Sequence, residues 1–143
     1  MLPAEVEEAG DERRSMSRAA INCVVLADRH HDLTEGMRDL LETTFDVVVM
    51  VANQASLFES AERLNPSVAV VDLSLVRGAN LDWLQRLHDG CPSVKLLAIS
   101  VHDEPCVRER ALESGADGFV LKRNIATELL PAIDAMLAKR NKP

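Results

Sequence analysis

The stretch INCVVLADRHHDLTEGMRDLLETTFDVVVMVA, residues 21–52, decides the fold, because the period of its apolar residues changes twice. INCVVLAD (21–28) is a short unbroken apolar run closed by an acid, the mark of a strand covered on both faces. In the segment that follows, Leu33, Met37, Leu40 and Leu41 fall at i, i+4, i+7 and i+8, one stripe of an amphipathic helix. VVVMVA (47–52) then returns to an unbroken run and predicts a second buried strand.

The alternation continues along the chain. Leu57, Ala61 and Leu64 predict a second helix, stopped by Asn65-Pro66. SVAVVDLS (67–74) is the third strand, with Asp72 at its C-terminal end. Asn80 is the expected cap of a third helix carrying Leu81, Leu84 and Leu87, closed by Gly90 and Pro92. VKLLAISV (94–101) is the fourth strand, and Val107, Ala111 and Leu112 mark a fourth helix ending at Gly115. GFVLK (118–122) is a short fifth strand; Leu129, Leu130, Ile133, Met136 and Leu137 pattern the last helix, where Pro131 fits only near the first turn. Parallel neighbours need a crossover, and a helix between each pair of strands supplies it. The expectation is therefore an α/β fold: a (βα)5 doubly wound, parallel five-stranded sheet with helices on both faces, a three-layer sandwich.

The 143 residues suit one domain and a little spare chain. Residues 1–19 are polar and charged and read as a flexible tail, leaving 20–140 as the folded domain. With 16 Lys and Arg against 23 Asp and Glu, the net charge of −7 opposes binding to a phosphate backbone, so no direct nucleic-acid contact is expected. Lys139, Arg140 and Lys142 form the only basic cluster, at the C-terminal end. The odd count of Cys23, Cys91 and Cys106, with no CxxC pair, argues against disulfides or a zinc finger and for the cytoplasm. There is no signal peptide, and no run is long enough to cross a membrane.

In doubly wound sheets, chemistry collects outside the carboxyl ends of the strands. Asp28, Asp72, Ser100 and Lys122 stand at four of those ends. An Asp beside a second carboxylate, a hydroxyl and an amine can accept a phosphoryl group, a transfer that depends on positioning and charge neutralisation. Magnesium is the cation such a set suits. Rival equipment is missing: no GxGxxG follows the first strand and no GK[ST] loop is present. A small hydrolase with Asp72 as nucleophile is disfavoured, because residue 74, where its second acid would stand, is Ser.

Residues 21 to about 139 resemble the receiver domain of two-component response regulators, most closely LuxR-type (NarL/FixJ-like) receivers. VVLADRHHDLTEGMRDLLE (24–42), PSVAVVDLSL (66–75) and VKLLAISVHDEPCVRERALESGADGFVLK (94–122) carry the likeness. The resemblance implies a flavodoxin-like fold and a signalling module rather than an enzyme. It makes Asp72 the phosphoacceptor, Lys122 its pairing amine, Ser100 the hydroxyl that moves toward the phosphoryl group, and Phe119 the aromatic switch. Magnesium would be held, weakly or not at all, by Asp28, Asp72 and the backbone carbonyl of Ser74. The implied partners are a histidine kinase or phosphotransfer protein and a downstream protein or separate output domain, with homodimers compatible. LuxR-type relatives carry a helix-turn-helix domain after a linker, for which 143 residues leave no room.

Arg29 departs from this pattern, standing where a second acid is usual. Turned inward it would salt-bridge Asp72 and mimic a metal; turned outward on its long stem it would leave Asp28 and Asp72 a weakened magnesium site. The outward orientation is favoured on geometry, and either predicts slow phosphorylation. A degenerate receiver acting as a phosphorylation-independent interaction module is the alternative function. After Asp72 the usual Pro-Gly loop is replaced by Val76-Arg77, and Asn80 stands where Gly is usual. His30, His31, His88 and His102 read as loop or solvated residues; a metal site using His30 and His31 together is disfavoured, since extended neighbours point apart.

Overall fold

Successive residues of a strand face opposite sides of a sheet, and the first strand uses both sides for core. In the computed structural model, which describes residues 22–78 and 80–141, Val24 and Leu26 of β1 (Cys23–Ala27) pack on one side and Val25 and Ala27 on the other. The chain continues through α1 (His31–Leu41), β2 (Val47–Val51), α2 (Gln54–Leu64), β3 (Val68–Asp72), a 3-10 turn at Leu73–Leu75, α3 (Asp82–Gly90), β4 (Lys95–Ser100), α4 (Pro105–Glu113), β5 (Gly118–Leu121), a 3-10 turn at Lys122–Asn124 and α5 (Ile125–Asn141). The predicted tail, residues 1–19, lies outside the described residues.

The five strands pair in parallel in the order β2-β1-β3-β4-β5. Met37, Leu41, Leu129, Ile133 and Met136 of α1 and α5 cover the Val24–Leu26 face; Leu57, Ala61, Trp83, Leu84, Leu87 and Ala111 of α2, α3 and α4 cover the other. This is the doubly wound three-layer arrangement expected from the alternating periods. The strand order reverses between β1 and β3, whose tips are neighbours through the Ala27–Val71 pairing, and Asp72 pairs with Ile99 one strand further. The carboxyl ends of β1, β3 and β4 thus converge on one spot.

Four local expectations need adjustment. β2 is an edge strand, not a buried one: Val47 and Met50 are exposed, because only central strands are covered on both sides. β3 ends at Asp72 and turns into a 3-10 helix, since the Asp72 carboxylate accepts the Ser74 N–H and caps that turn. Asn80 accepts the Asp82 N–H at 2.7 Å but stands one residue before the formal cap, Leu81. Pro131 lies in the second turn of α5, not the first. There it is exposed and deprives the Thr127 carbonyl of its helical donor. α2 stops at Asn65-Pro66 as read from the sequence, and Asn65, with φ 45°, ends it in the left-handed conformation.

Candidate functional site

Buried charges must be paired or they change protonation state. Asp28, Asp72, Ser100 and Lys122 are 1%, 2%, 3% and 8% exposed, so their pairing decides what the pocket is. Lys122, lifted into place where β5 passes into a 3-10 turn, donates from Nζ to Asp72 Oδ2 at 2.7 Å and lies 2.9 Å from Asp28 Oδ2. Asp72 Oδ1 accepts the backbone N–H and the hydroxyl of Ser74 at 2.9 and 3.1 Å. Asp28 Oδ1 accepts the backbone N–H of His30 at 2.8 Å, while its buried Oδ2 faces Lys122 as an ion pair outside hydrogen-bonding geometry. Ser100 Oγ accepts the His102 N–H at 3.0 Å.

Burial raises the pKa of Asp72, but the Lys122 hydrogen bond, the Ser74 N–H and the ammonium charge outweigh it and leave the carboxyl below its ordinary value. Burial pushes Lys122 down; its hydrogen bond to Asp72, the adjacent Asp28 carboxylate and the charges of the two acids outweigh it and leave the amine above its ordinary value. Asp72 is thus an ionised carboxylate beside a fixed cation. A cavity of about 750 Å³ opens onto it, walled by Leu73, Leu81, Val101 and Val107, with Arg110 and Ser100 among its polar groups. His30 also lines this cavity; its Nδ1 lies 3.2 Å from Asp28 Oδ1 and 3.5 Å from Asp72 Oδ2.

A profile of the response regulator receiver domain matches residues 24–134. The chain belongs to the response regulator receiver family. The receiver is 31% identical over 122 residues to the nitrate/nitrite response regulator protein NarL of Escherichia coli K12, covering 82% of this chain and 56% of that protein. It is 30% identical over 112 residues to the transcriptional regulatory protein DegU of Brevibacillus brevis, covering 77% and 48%. It therefore spans about half the length of these curated relatives. A LuxR-family two-component response regulator from Aurantimonas sp. SI85-9A1 superposes with a TM-score of 0.74 at 26% identity, covering 83% of this chain and 86% of that one. The signal receiver domain of NarL from Mycobacterium tuberculosis gives 0.70 at 28%, covering 82% and 97%.

Of the residues singled out in the sequence, this receiver brings Asp28, Asp72 and Lys122 into contact, and Ser100 lines the same cavity. Ser74 touches Asp72 through its N–H and hydroxyl. Phe119 on β5 is half-buried, with the Arg108 guanidinium 5.9 Å from its ring centroid. Arg29 is exposed and forms no ion pair among the described residues, so it takes the outward orientation. His30 is an exposed loop residue, as read from the sequence, and its ring also reaches both acids of the pocket. The Asp-x-His spacing was the available signal, because an Asp side chain that accepts the N–H two residues on folds that residue back over it. Receiver domains generally bind magnesium in their acidic pocket, and two buried carboxylates here offer oxygens to a cation. The third group within reach is an imidazole.

Proposed function

We propose that this receiver accepts a phosphoryl group on Asp72 from a histidine kinase or phosphotransfer protein and relays a conformational change to a downstream protein or output domain. The observation that carries the reading is an ionised, almost fully buried Asp72 held 2.7 Å from Lys122 at the mouth of an open cavity. A carboxylate oxygen of Asp72 bonds to phosphorus as the P–N bond to the donor imidazole breaks, its electron pair remaining on the imidazole. Lys122 stands ready to neutralise the incoming phosphoryl oxygens. Ser100 would leave the His102 N–H to donate to them, and Phe119, under Arg108, would follow that movement and report it on the face formed by α4, β5 and α5. Asp28, Asp72 and the Ser74 carbonyl would hold magnesium, which supplies further charge neutralisation when bound.

Arg29 in place of an acid weakens that magnesium site by removing one carboxylate and adding a positive charge nearby. The relatives named as transcriptional regulatory proteins are longer than the matched segment, so the expectation of no nucleic-acid contact concerns this receiver alone. A small acyl phosphate donor with magnesium should label the wild-type chain slowly and Asp72→Asn not at all. Arg29→Asp should raise magnesium affinity about tenfold and speed the labelling. Tight magnesium binding and fast labelling of the wild type would overturn the impairment. Signalling that is indifferent to Asp72→Asn would favour the phosphorylation-independent interaction module, for which the outward Arg29 is the supporting feature.

A further inference from the structure

A phosphoryl group is small and strongly hydrated, and aliphatic walls offer it nothing. The cavity above Asp72 is nonetheless walled by Leu73, Leu81, Val101 and Val107, and its volume of about 750 Å³ lies within the ~300 to 1,000 Å³ of small-molecule sites. Leu73, Leu81 and Val107 are half-buried, and Val101 at the rim is 64% exposed, a large aliphatic side chain left in water. An apolar body seated in the cavity would cover this surface.

The polar groups of the cavity floor are matched to one another. Asp72 Oδ1 accepts the N–H and the hydroxyl of Ser74, and Oδ2 accepts Lys122, whose ammonium also faces Asp28. Ser100 Oγ accepts the His102 N–H, and at the rim Glu104 faces the His102 ring at 3.9 Å. Arg110 differs: it lines the same cavity, is exposed, and forms no ion pair or side-chain hydrogen bond among the described residues. Val107 and Arg110 are i and i+3 on α4, so they share one helical face. Of this helix only Ala111 is buried, which leaves that face open to an occupant.

An unmatched guanidinium beside an aliphatic hollow sets the chemistry of the occupant. The planar fork of Arg suits a carboxylate, and the walls suit the apolar body behind it. An organic cation finds no open acceptor on Asp72, both of whose oxygens are taken. We infer that the cavity flanked by Leu81 and α4 binds a small organic acid, its carboxylate on Arg110 and its apolar body against Leu81, Val101 and Val107, and that the bound acid closes the approach to Asp72. Occupancy of the cavity is then a second input to this receiver, opposed to phosphorylation. The inference deepens the proposed phosphoacceptor reading and rests on it for what closing the approach does.

The test gives the 143-residue chain three probes that share one apolar body and differ in the head: 4-butylbenzoate, 4-butylbenzamide and 4-butylbenzylammonium, titrated while methyl and amide signals are followed by NMR. The benzoate should bind about fivefold more tightly than the amide, and more tightly still than the ammonium, with methyl shifts centred on Leu81, Val101 and Val107. Arg110→Gln should bring the benzoate down to the affinity of the amide, and Val101→Ser should weaken benzoate and amide alike by about threefold. Both side chains are exposed, so neither substitution opens the core. No preference for the benzoate, an unchanged benzoate affinity in Arg110→Gln, or shifts centred on Val47 and Met50 of the β2 edge would overturn the site. Saturating 4-butylbenzoate should slow labelling of Asp72 by a small acyl phosphate donor about fivefold or more, and full-rate labelling of the benzoate-bound chain would overturn the closure. Labelling without benzoate binding rejects the ligand site alone, and benzoate binding to a chain that is never labelled, with or without the probe, rejects the phosphoacceptor reading alone.

Discussion

At the residue scale, one ammonium holds two buried carboxylates. Asp28 and Asp72 lie almost out of water, and Lys122 is the cation that faces both. Removing one member of a buried ion pair strands the others and costs several kcal/mol, more than an exposed pair ever contributes. Lys122→Ala should therefore destabilise the domain by about 3 kcal/mol at pH 7, measured as the shift in urea unfolding. A loss smaller than about 1 kcal/mol, the ceiling for surface pairs, would show that water reaches the acids freely. Arg29 gives the opposite case: exposed, with a long stem, it can be exchanged without disturbing this pairing.

At the element scale, how much was legible in the sequence depended on what each element packs against. β1, β3 and β4 read correctly as buried runs because both of their faces are covered. β2 has an identical texture and is an edge strand, since the strand order is set by long-range packing that a run of valines does not encode. α4 showed its stripe weakly, and the structure buries only Ala111 of it while Leu112 stays exposed. The strand-tip acids, Ser100 and Lys122 were visible because each closes an apolar run. His30 was not, because its position depends on an Asp28 side chain folding the loop back. Gly115 was legible as a helix stop, and its geometry explains why. Its φ is +112°, and a Cβ there would come 2.8 Å from His88 Cβ. Gly115→Ala should cost about 2 kcal/mol. Gly36→Ala, on α1 with nothing within 4 Å of the new methyl, should instead stabilise by about 0.5 to 1 kcal/mol. Thermal unfolding of the two variants checks both signs, and a destabilised Gly36→Ala or a neutral Gly115→Ala contradicts the conformational account.

At the scale of the whole molecule, the pocket sets how stability responds to pH. The chain carries a net charge of −7, so protonating exposed acids first relieves self-repulsion and does not by itself unfold the domain. The buried cluster works in the other direction. Asp72 has its pKa depressed below the ordinary 3.8, so the stability it contributes is present above that value and is lost as pH falls through the folded-state pKa. Lys122 has its pKa raised above 10.5, so its contribution is complete below that value and is lost as pH rises through the folded-state pKa. Between these limits neither group changes protonation on unfolding, and the Asp72–Lys122 pair adds no slope to stability across the neutral range. Asp72→Asn removes the group responsible for the acid limb while leaving Asp28 to pair with Lys122. Urea unfolding followed from pH 9 to pH 3 should show the wild type losing more stability below about pH 4 than Asp72→Asn, with the two curves parallel between about pH 5 and 9. Curves that stay parallel to pH 3 would mean that Asp72 is not held ionised by Lys122, and would remove the electrostatic basis for its nucleophilic role.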